Sequence, residues 1–552
     1  MKPYLPIAAA ALLMSLAPAR PFAQQPARSA QGAALAPKLI VVLVVDQMRA
    51  DYLERYSSRF TGGLRLLMQE GAWFRRAAYP YLNTVTCTGH STIGTGALPY
   101  RHGMVLNGWY DRAAGKSVAC TDDDRAREIS YGGGLRGIGE NGRFLLVPTL
   151  ADQLRERAKG RVVTLSIKAR SAIGLAGQKA DALLWFDERG AWATSSSYAK
   201  APVPFLQRFI DQYPVSADLG KTWERTLDAA AYQNADDAVG ERAPPGWTTT
   251  FPHAIGTPGG KPDGAFYAQW ARSPYADEYL ARLAAESIDA LSLGTGAGTD
   301  FLGVSFSSLD YVGHAFGPDS HEVQDMLVRL DLTIGRLIAH LDAKVGRGHY
   351  VLGLSSDHGV AMLPEQVDGG GRQSSRDVAA AIDAALQPIF GPGRYAAYAA
   401  YTDIYLAPGV RDRLKADPKA EAAVLAALRA LPGILQVFRA DEISTAAART
   451  GADPLKRAAA LSYYAGRSGD LILVPRENWL LASSATTHGT QHAYEQRVPV
   501  ILFGAGVAKG RFDTAATPAD LAPTLAALAR VTFKATDGRI LREAVASAAA
   551  TK

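Results

Sequence analysis

Six residues of the types that bind metal ions stand where apolar runs begin or end. Asp46 follows the run Lys38–Val45, Asp310 and His314 follow Asp300–Ser307, Asp357 and His358 follow Tyr350–Ser355, and His488 precedes Val498–Phe503. Carboxylate and imidazole together are a donor mix that suits zinc. Six such donors divide into two sets of three, each leaving a position open for substrate or water. Alone, an Asp at a strand end is commonly a helix cap, and a single His is commonly structural. Four strand ends that all carry donors are not explained that way. His492, four residues after His488, competes for the last place.

A nucleophile candidate lies in Thr84–Thr92 (TVTCTGHST), where Thr86 follows the apolar piece Ala77–Leu82 and opens a helical pattern. Backbone N–H groups and the helix dipole favour an anion at such a point. Taken by itself, Thr86 reads as a helix N-cap rather than as a nucleophile. Lys168 and Arg170 close the run Arg161–Ile167. Strand alternation places residues two apart on one face, so both cations are expected to point the same way.

These residues need a scaffold that brings strand ends together. The run Lys38–Val45 is apolar and β-branched, as in a strand buried on both faces of a parallel sheet. Arg161–Ile167, Asp300–Ser307, Tyr350–Ser355, Asp470–Val474 and Val498–Phe503 read as further strands. Helical patterns at Thr149–Ala158, Asp277–Leu291, Asp319–Leu341 and Pro518–Ala529 alternate with them, the last with Thr517 as N-cap. The alternation predicts an α/β fold with a mostly parallel central sheet flanked by helices. Ligands then gather at the carboxyl ends of its strands. The aperiodic stretch from about 214 to 272, rich in Pro, Gly, Trp and Thr, is expected to be a cap inserted in a catalytic domain over 38–545.

At 552 residues, 48% hydrophobic and 20% charged, the chain can bury a large core. Its net charge of +6 includes no dense Lys/Arg run, which argues against a nucleic-acid partner. Lys2, the apolar stretch Leu5–Ala17 and the small residues Ala19 and Ala23 read as a signal peptide over 1–23, followed by a linker over 24–37. The apolar stretch falls short of the roughly 20 residues that cross a bilayer. A periplasmic or secreted protein without membrane insertion is expected. Cys87 and Cys120 are the two cysteines; export permits a disulfide between them, and their spacing leaves the pairing open. The oligomeric state is open as well.

The blocks VVDQMRADY, TVTCTGHSTIGTGALPYRHGMVLNGWYD, SIKARSAIGLAG, SLDYVGHAFGPDS, SSDHGV and HGTQHAYEQRVPVILFGAG resemble, in this order, the alkaline phosphatase superfamily. They look most like its branch with a threonine nucleophile and a Lys/Arg pair, the PafA-type bacterial phosphatases. The resemblance implies that fold, and a hydrolase acting on small phosphate monoesters through a phosphothreonine formed on Thr86. It implies two zinc ions, one on Asp310, His314 and His488, the other on Asp46, Asp357, His358 and the Thr86 oxygen. It places Asn107, Lys168 and Arg170 on the phosphate. The family sets a Gly directly after its ligand His, which matches His488-Gly489 and not His492.

The chemistry is coherent in its own right. Zinc lowers the pKa of a weakly nucleophilic hydroxyl, and added cations favour a monoester dianion over a diester. Nucleotide pyrophosphatases/phosphodiesterases share the donors and the threonine; the Lys/Arg pair speaks against them. A sulfatase needs Cys-x-Pro-x-Arg, whereas Cys87 precedes Thr-Gly-His. Phosphoglycerate mutase-like enzymes carry serine at the place of Thr86. A non-catalytic metal-bearing protein is the rival of another class, and the intact nucleophile argues against it. Asn83, His90 and His102 are expected to play supporting parts.

Overall fold

The computed structural model describes Met1 and residues 36–132, 135–187, 189–534 and 537–546. The expected signal peptide, apart from Met1, and most of the linker lie outside the described residues.

Strand β1 (Leu39–Val45) buries all seven side chains. Leu39, Val41, Leu43 and Val45 enter one core while Ile40, Val42 and Val44 enter another. An unbroken apolar run is what such a two-faced environment demands. Strands β2 (Val162–Ser166), β3 (Ala182–Asp187), β4 (Asp300–Phe306) and β5 (Tyr350–Ser355) join it, all parallel, in the order β5-β1-β4-β2-β3. Val44 is level with Ser305 and Ser355, and Ser305 is level with Ser166. Four strands therefore stop together, and the chemistry-bearing residues leave the sheet along one edge.

Among the described residues the sheet has 11 strands; antiparallel pairs flank its parallel centre on both sides, and one edge closes with a further parallel pair, Ala72–Phe74 with Gly510–Phe512. The expected strand near Val498 is Val500–Gly504, and it runs antiparallel to β5 with Val500 opposite Ser355. One short helical turn, Ala493–Gln496, separates it from the His488 loop. The chain thus enters the sheet from its carboxyl edge, with no crossover to reverse it.

A second lobe lies between β5 and His488. Strands β6 (Ala396–Ala400), β7 (Asp403–Leu406), β8 (Ile434–Arg439) and β9 (Leu471–Pro475) form a separate sheet in the order β6-β7-β9-β8. Its core includes Val378, Ile404, Val424 and Leu473. The run at Asp470–Val474 therefore belongs to this sheet and not to the central one. The sequence hides the division because the lobe continues the same alternation of strand and helix.

Four helices matter for the site: α1 (Thr86–Thr95), α2 (Ala169–Ala176), α3 (Ser308–Phe316) and α4 (His321–Lys344). The segment 214–272 contains short turns, a two-residue ladder and the helix Gly264–Arg272. Its Trp247 and His253 lie against Phe316 of α3, with Trp223 and Phe251 packed behind. It thereby braces the helix that carries Asp310 and His314. Among the described residues, no helix is long and apolar enough to cross a membrane.

Candidate active site

Asp46 leaves β1, Asp357 and His358 leave β5, and Asp310 lies in the first turn of α3 just after β4. Donor atoms of Asp46, Asp357 and His358 lie within 4.8 Å of one another, as do those of Asp310, His358 and His488. His314 joins the second group through Nε2, 3.2 Å from Asp310 Oδ1, and His488 Nε2 lies 3.7 Å from the same oxygen. His358 stacks on His488 with ring centres 3.4 Å apart, so it borders both groups. All six predicted donors thus meet in one place. His492 turns away, its Nε2 against the Pro475 carbonyl.

The three imidazoles share one arrangement. Nδ1 of His314 faces the Thr486 carbonyl at 3.0 Å, that of His358 the Gly359 carbonyl at 3.0 Å, and that of His488 the Thr84 carbonyl at 2.8 Å. A carbonyl can only accept, so Nδ1 carries a hydrogen in each ring, and wherever the ring is neutral its Nε2 lone pair turns into the cluster. Burial pulls His358 and His488 below the ordinary imidazole range, which keeps them neutral. His314 moves up, since Asp310 outweighs its burial.

These residues fit metal ions. Asp46, Asp310 and Asp357 are buried together, and among the described residues Asp46 Oδ1 and Asp357 Oδ2 have no hydrogen-bond partner. Burial and then Asp357 push the Asp46 carboxyl well above its usual range despite Lys168. Asp310 goes the other way: against its burial, His314 and Lys168 hold it well below. Such a concentration of negative oxygens and imidazole lone pairs calls for further positive charge.

Thr86 is the first residue of α1, 1% exposed, and Val85 occupies the N-cap position. Its hydroxyl caps nothing; its hydrogen-bond neighbour is His358 Nε2 at 3.4 Å. His90 Nδ1 donates to the Thr86 carbonyl at 2.9 Å and lies 3.3 Å from Asp357 Oδ2, which ties the nucleophile candidate to a metal donor. The close approach of α1 depends on Gly89, where a Cβ would fall 2.2 Å from the Asp357 carbonyl oxygen.

Lys168 and Arg170 do not share a strand face. β2 ends at Ser166, Lys168 is the residue before α2 and Arg170 lies in its first turn. The lysine Nζ donates to Asp46 Oδ2 at 2.6 Å and to Asp310 Oδ2. Burial opposes its charge, but Asp310 and Asp46 hold its pKa above the usual lysine value. Arg170 differs. Its Nε is buried with no hydrogen-bond partner among the described residues, and Tyr311 and Asp46 keep it charged against the cost of burial.

Asn107 accepts the Cys87 N–H on Oδ1 at 2.8 Å, beside Thr86, and donates from Nδ2 to the Tyr401 hydroxyl at 3.0 Å. Cys87 and Cys120 are joined by a disulfide. Several residues at the site carried no signal in the sequence. Gln47 donates its backbone N–H to Asp357 Oδ1 and its side-chain amide to Asp310 Oδ1, linking the two donor groups. Buried Glu495 accepts from the N–H groups of Gly489 and Thr490 and from the Thr84 hydroxyl, which fixes the His488 loop.

An α/β sheet whose parallel strand ends converge on acids and imidazoles beside a helix-opening threonine is the architecture of the alkaline phosphatase superfamily. Within it the chain belongs to the family described as type I phosphodiesterase / nucleotide pyrophosphatase, which matches residues 40–497. It is 32% identical to alkaline phosphatase PafA of Elizabethkingia meningoseptica, covering 90% of this chain and 92% of that protein. It is 31% identical to a protein of Myroides odoratus named calcium-transporting ATPase, over 90% and 92%. Alkaline phosphatase PhoV of Synechococcus elongatus is 30% identical over 90% of each chain. The crystal structure of PafA superposes with a TM-score of 0.84 at 30% identity, over 92% of this chain and 99% of that one. A PafA variant of the same fold is substituted at a threonine, an asparagine, a lysine and an arginine.

Proposed function

We propose that the chain is an exported, two-zinc phosphatase that hydrolyses phosphate monoesters through a phosphothreonine on Thr86. The observation that carries the monoester reading is Arg170: a guanidinium whose Nε is buried and unpaired beside the donor cluster. A buried N–H without a partner is costly, and a phosphate oxygen supplies the partner. Phosphatases among the relatives support the hydrolase class. The four residue types altered together in the PafA variant recur here as Thr86, Asn107, Lys168 and Arg170, with the threonine–asparagine and lysine–arginine spacings the same and the asparagine–lysine interval one residue shorter.

In this reading Asp310, His314 and His488 hold one zinc ion and Asp46, Asp357 and His358 the other, and the ions supply Lewis acidity for the threonine oxygen and charge neutralisation for the phosphoryl group. Thr86 Oγ1 bonds to phosphorus as the bond from phosphorus to the ester oxygen breaks and the alcohol leaves. Water then cleaves the phosphothreonine and restores the hydroxyl. Asn107 and Arg170 hold the non-bridging oxygens, and the first-turn N–H groups of α1 favour their charge. Lys168 holds Asp46 and Asp310 in place and adds positive charge. His90 anchors the Thr86 carbonyl, which keeps the hydroxyl aimed into the cluster.

The test is hydrolysis of an aryl phosphate monoester and the matching diester by the mature protein, with and without chelator and with zinc restored. A chelator-sensitive rate that favours the monoester is expected. A preference for the diester moves the activity to the phosphodiesterases for which the family is described, and the unpaired arginine then needs another explanation.

A further inference from the structure

We infer that Tyr401 is a positioning residue for phosphate binding, which fixes the Asn107 amide from the second lobe. The inference rests on the reading of Asn107 as a phosphate contact. Both ends of that amide are held. Its Oδ1 takes the Cys87 N–H, which settles the orientation, and its Nδ2 donates to the Tyr401 hydroxyl at 3.0 Å. One Nδ2 hydrogen remains for a ligand, and the tyrosine determines where it points.

Tyr401 is the first of two residues between β6 and β7 and takes φ +52°. That backbone state is unfavourable for a side-chain-bearing residue and persists where the surroundings over-determine it. They do so here. The neighbouring Thr402 donates its hydroxyl to Asn83 Oδ1 at 2.6 Å, and Asn83 Nδ2 donates to Asp403 Oδ2 at 3.2 Å and to the Val105 carbonyl at 3.4 Å. Asn83 lies just ahead of Thr86 and Val105 just ahead of Asn107, so the turn is bolted to both loops. On its other side the Tyr401 ring abuts Gly489, where a Cβ would lie 3.0 Å from Cδ1. A tyrosine strained into a sheet turn between the His488 loop and the Asn107 amide is placed to hold that amide still.

The test compares the wild type, Y401F, N107A and the double variant in hydrolysis of an aryl phosphate monoester, with inorganic phosphate as competing inhibitor and bound zinc measured in each. Y401F removes one hydrogen bond and keeps the ring. We expect KM and the phosphate inhibition constant to rise roughly 2- to 10-fold, with kcat less affected and zinc content unchanged. If Tyr401 acts through Asn107, the double variant is no worse than N107A. Losses that multiply in the double variant, or unaltered phosphate inhibition in Y401F beside weakened inhibition in N107A, overturn the inference. Unchanged KM and inhibition in N107A itself remove the role of Asn107 and this inference with it. Chelator-sensitive monoester hydrolysis would still stand in that case.

Discussion

Thr86, which is buried, and Arg170, which is half-buried with its Nε covered, share an unusual condition: each is left without an ordinary structural task among the described residues. The threonine opens α1 yet caps no backbone group, and its hydroxyl meets a histidine of the donor cluster. Thr86→Ala therefore removes the attacking atom without touching the acids and imidazoles. Turnover should fall by on the order of a thousandfold or more, while zinc measured by elemental analysis stays at the wild-type level. Activity near wild type in that variant would discard the nucleophile assignment. Arg170→Ala removes charged hydrogen bonds worth about 1.5–3 kcal/mol, so monoester kcat/KM should drop roughly 10- to 100-fold. The diester should lose much less. Equal losses on the two substrates would show that Arg170 does not read the dianion.

Among the elements, the link between α1 and the Asn107 loop is the most exposed to test. The Cys87–Cys120 disulfide spans a separation of 33 residues, and the Cys120 N–H donates to the Asn107 carbonyl at 3.0 Å. Closing a loop of that length stabilises a fold by about 3–4 kcal/mol in the chain-entropy account. Reductant should lower the wild-type Tm, and a variant with both cysteines replaced by serine should start lower and not respond. An equal response of the two proteins would show that the bond contributes nothing. The donors at strand ends were legible because a run such as Leu39–Val45 announces a doubly buried strand, and parallel register then aligns the residues at its carboxyl end with those of its neighbours. Lys168 and Arg170 were misread as strand residues because Lys168 is not a recognisable N-cap residue, so nothing in Lys-Ala-Arg-Ser-Ala marks the start of α2. Gln47 and Glu495 escaped notice for a different reason. Their partners lie as far as 310 and 411 residues away in sequence, and no local pattern encodes such contacts.

At the scale of the molecule, the segment 214–272 is joined to the sheet domain through buried acids at the start of α4. Trp223 Nε1 donates to Asp325 Oδ2 at 2.7 Å, and His253 Nε2 lies 2.8 Å from Glu322 Oε1. Glu322 is fully buried, and its Oε2 has no hydrogen-bond partner among the described residues. Burial, with Asp236 and Asp325 adding to it and Arg225 opposing, lifts its pKa from 4.5 to about 8. Burial and then Glu322 lift Glu241 to about 8 as well, and burial lowers His253 to about 4. His253 acts in the opposite sense between about 4 and 6.5, where the unfolded chain binds its proton and the folded protein does not; Glu322 and Glu241 keep protons in the folded protein that the unfolded chain has released, so their contribution to stability falls as pH rises from about 4.5 to 8. It is fullest below the unfolded value and lost on passing the folded one, by about 1.4 kcal/mol per pH unit for each proton. Glu322→Gln keeps a neutral side chain of the same shape at every pH. Its Tm should match the wild type near pH 5 and exceed it near pH 9, in melts followed by circular dichroism. A Tm difference that does not change with pH would mean that Glu322 is ionised in the folded protein, its charge balanced by Arg225 or by a cation.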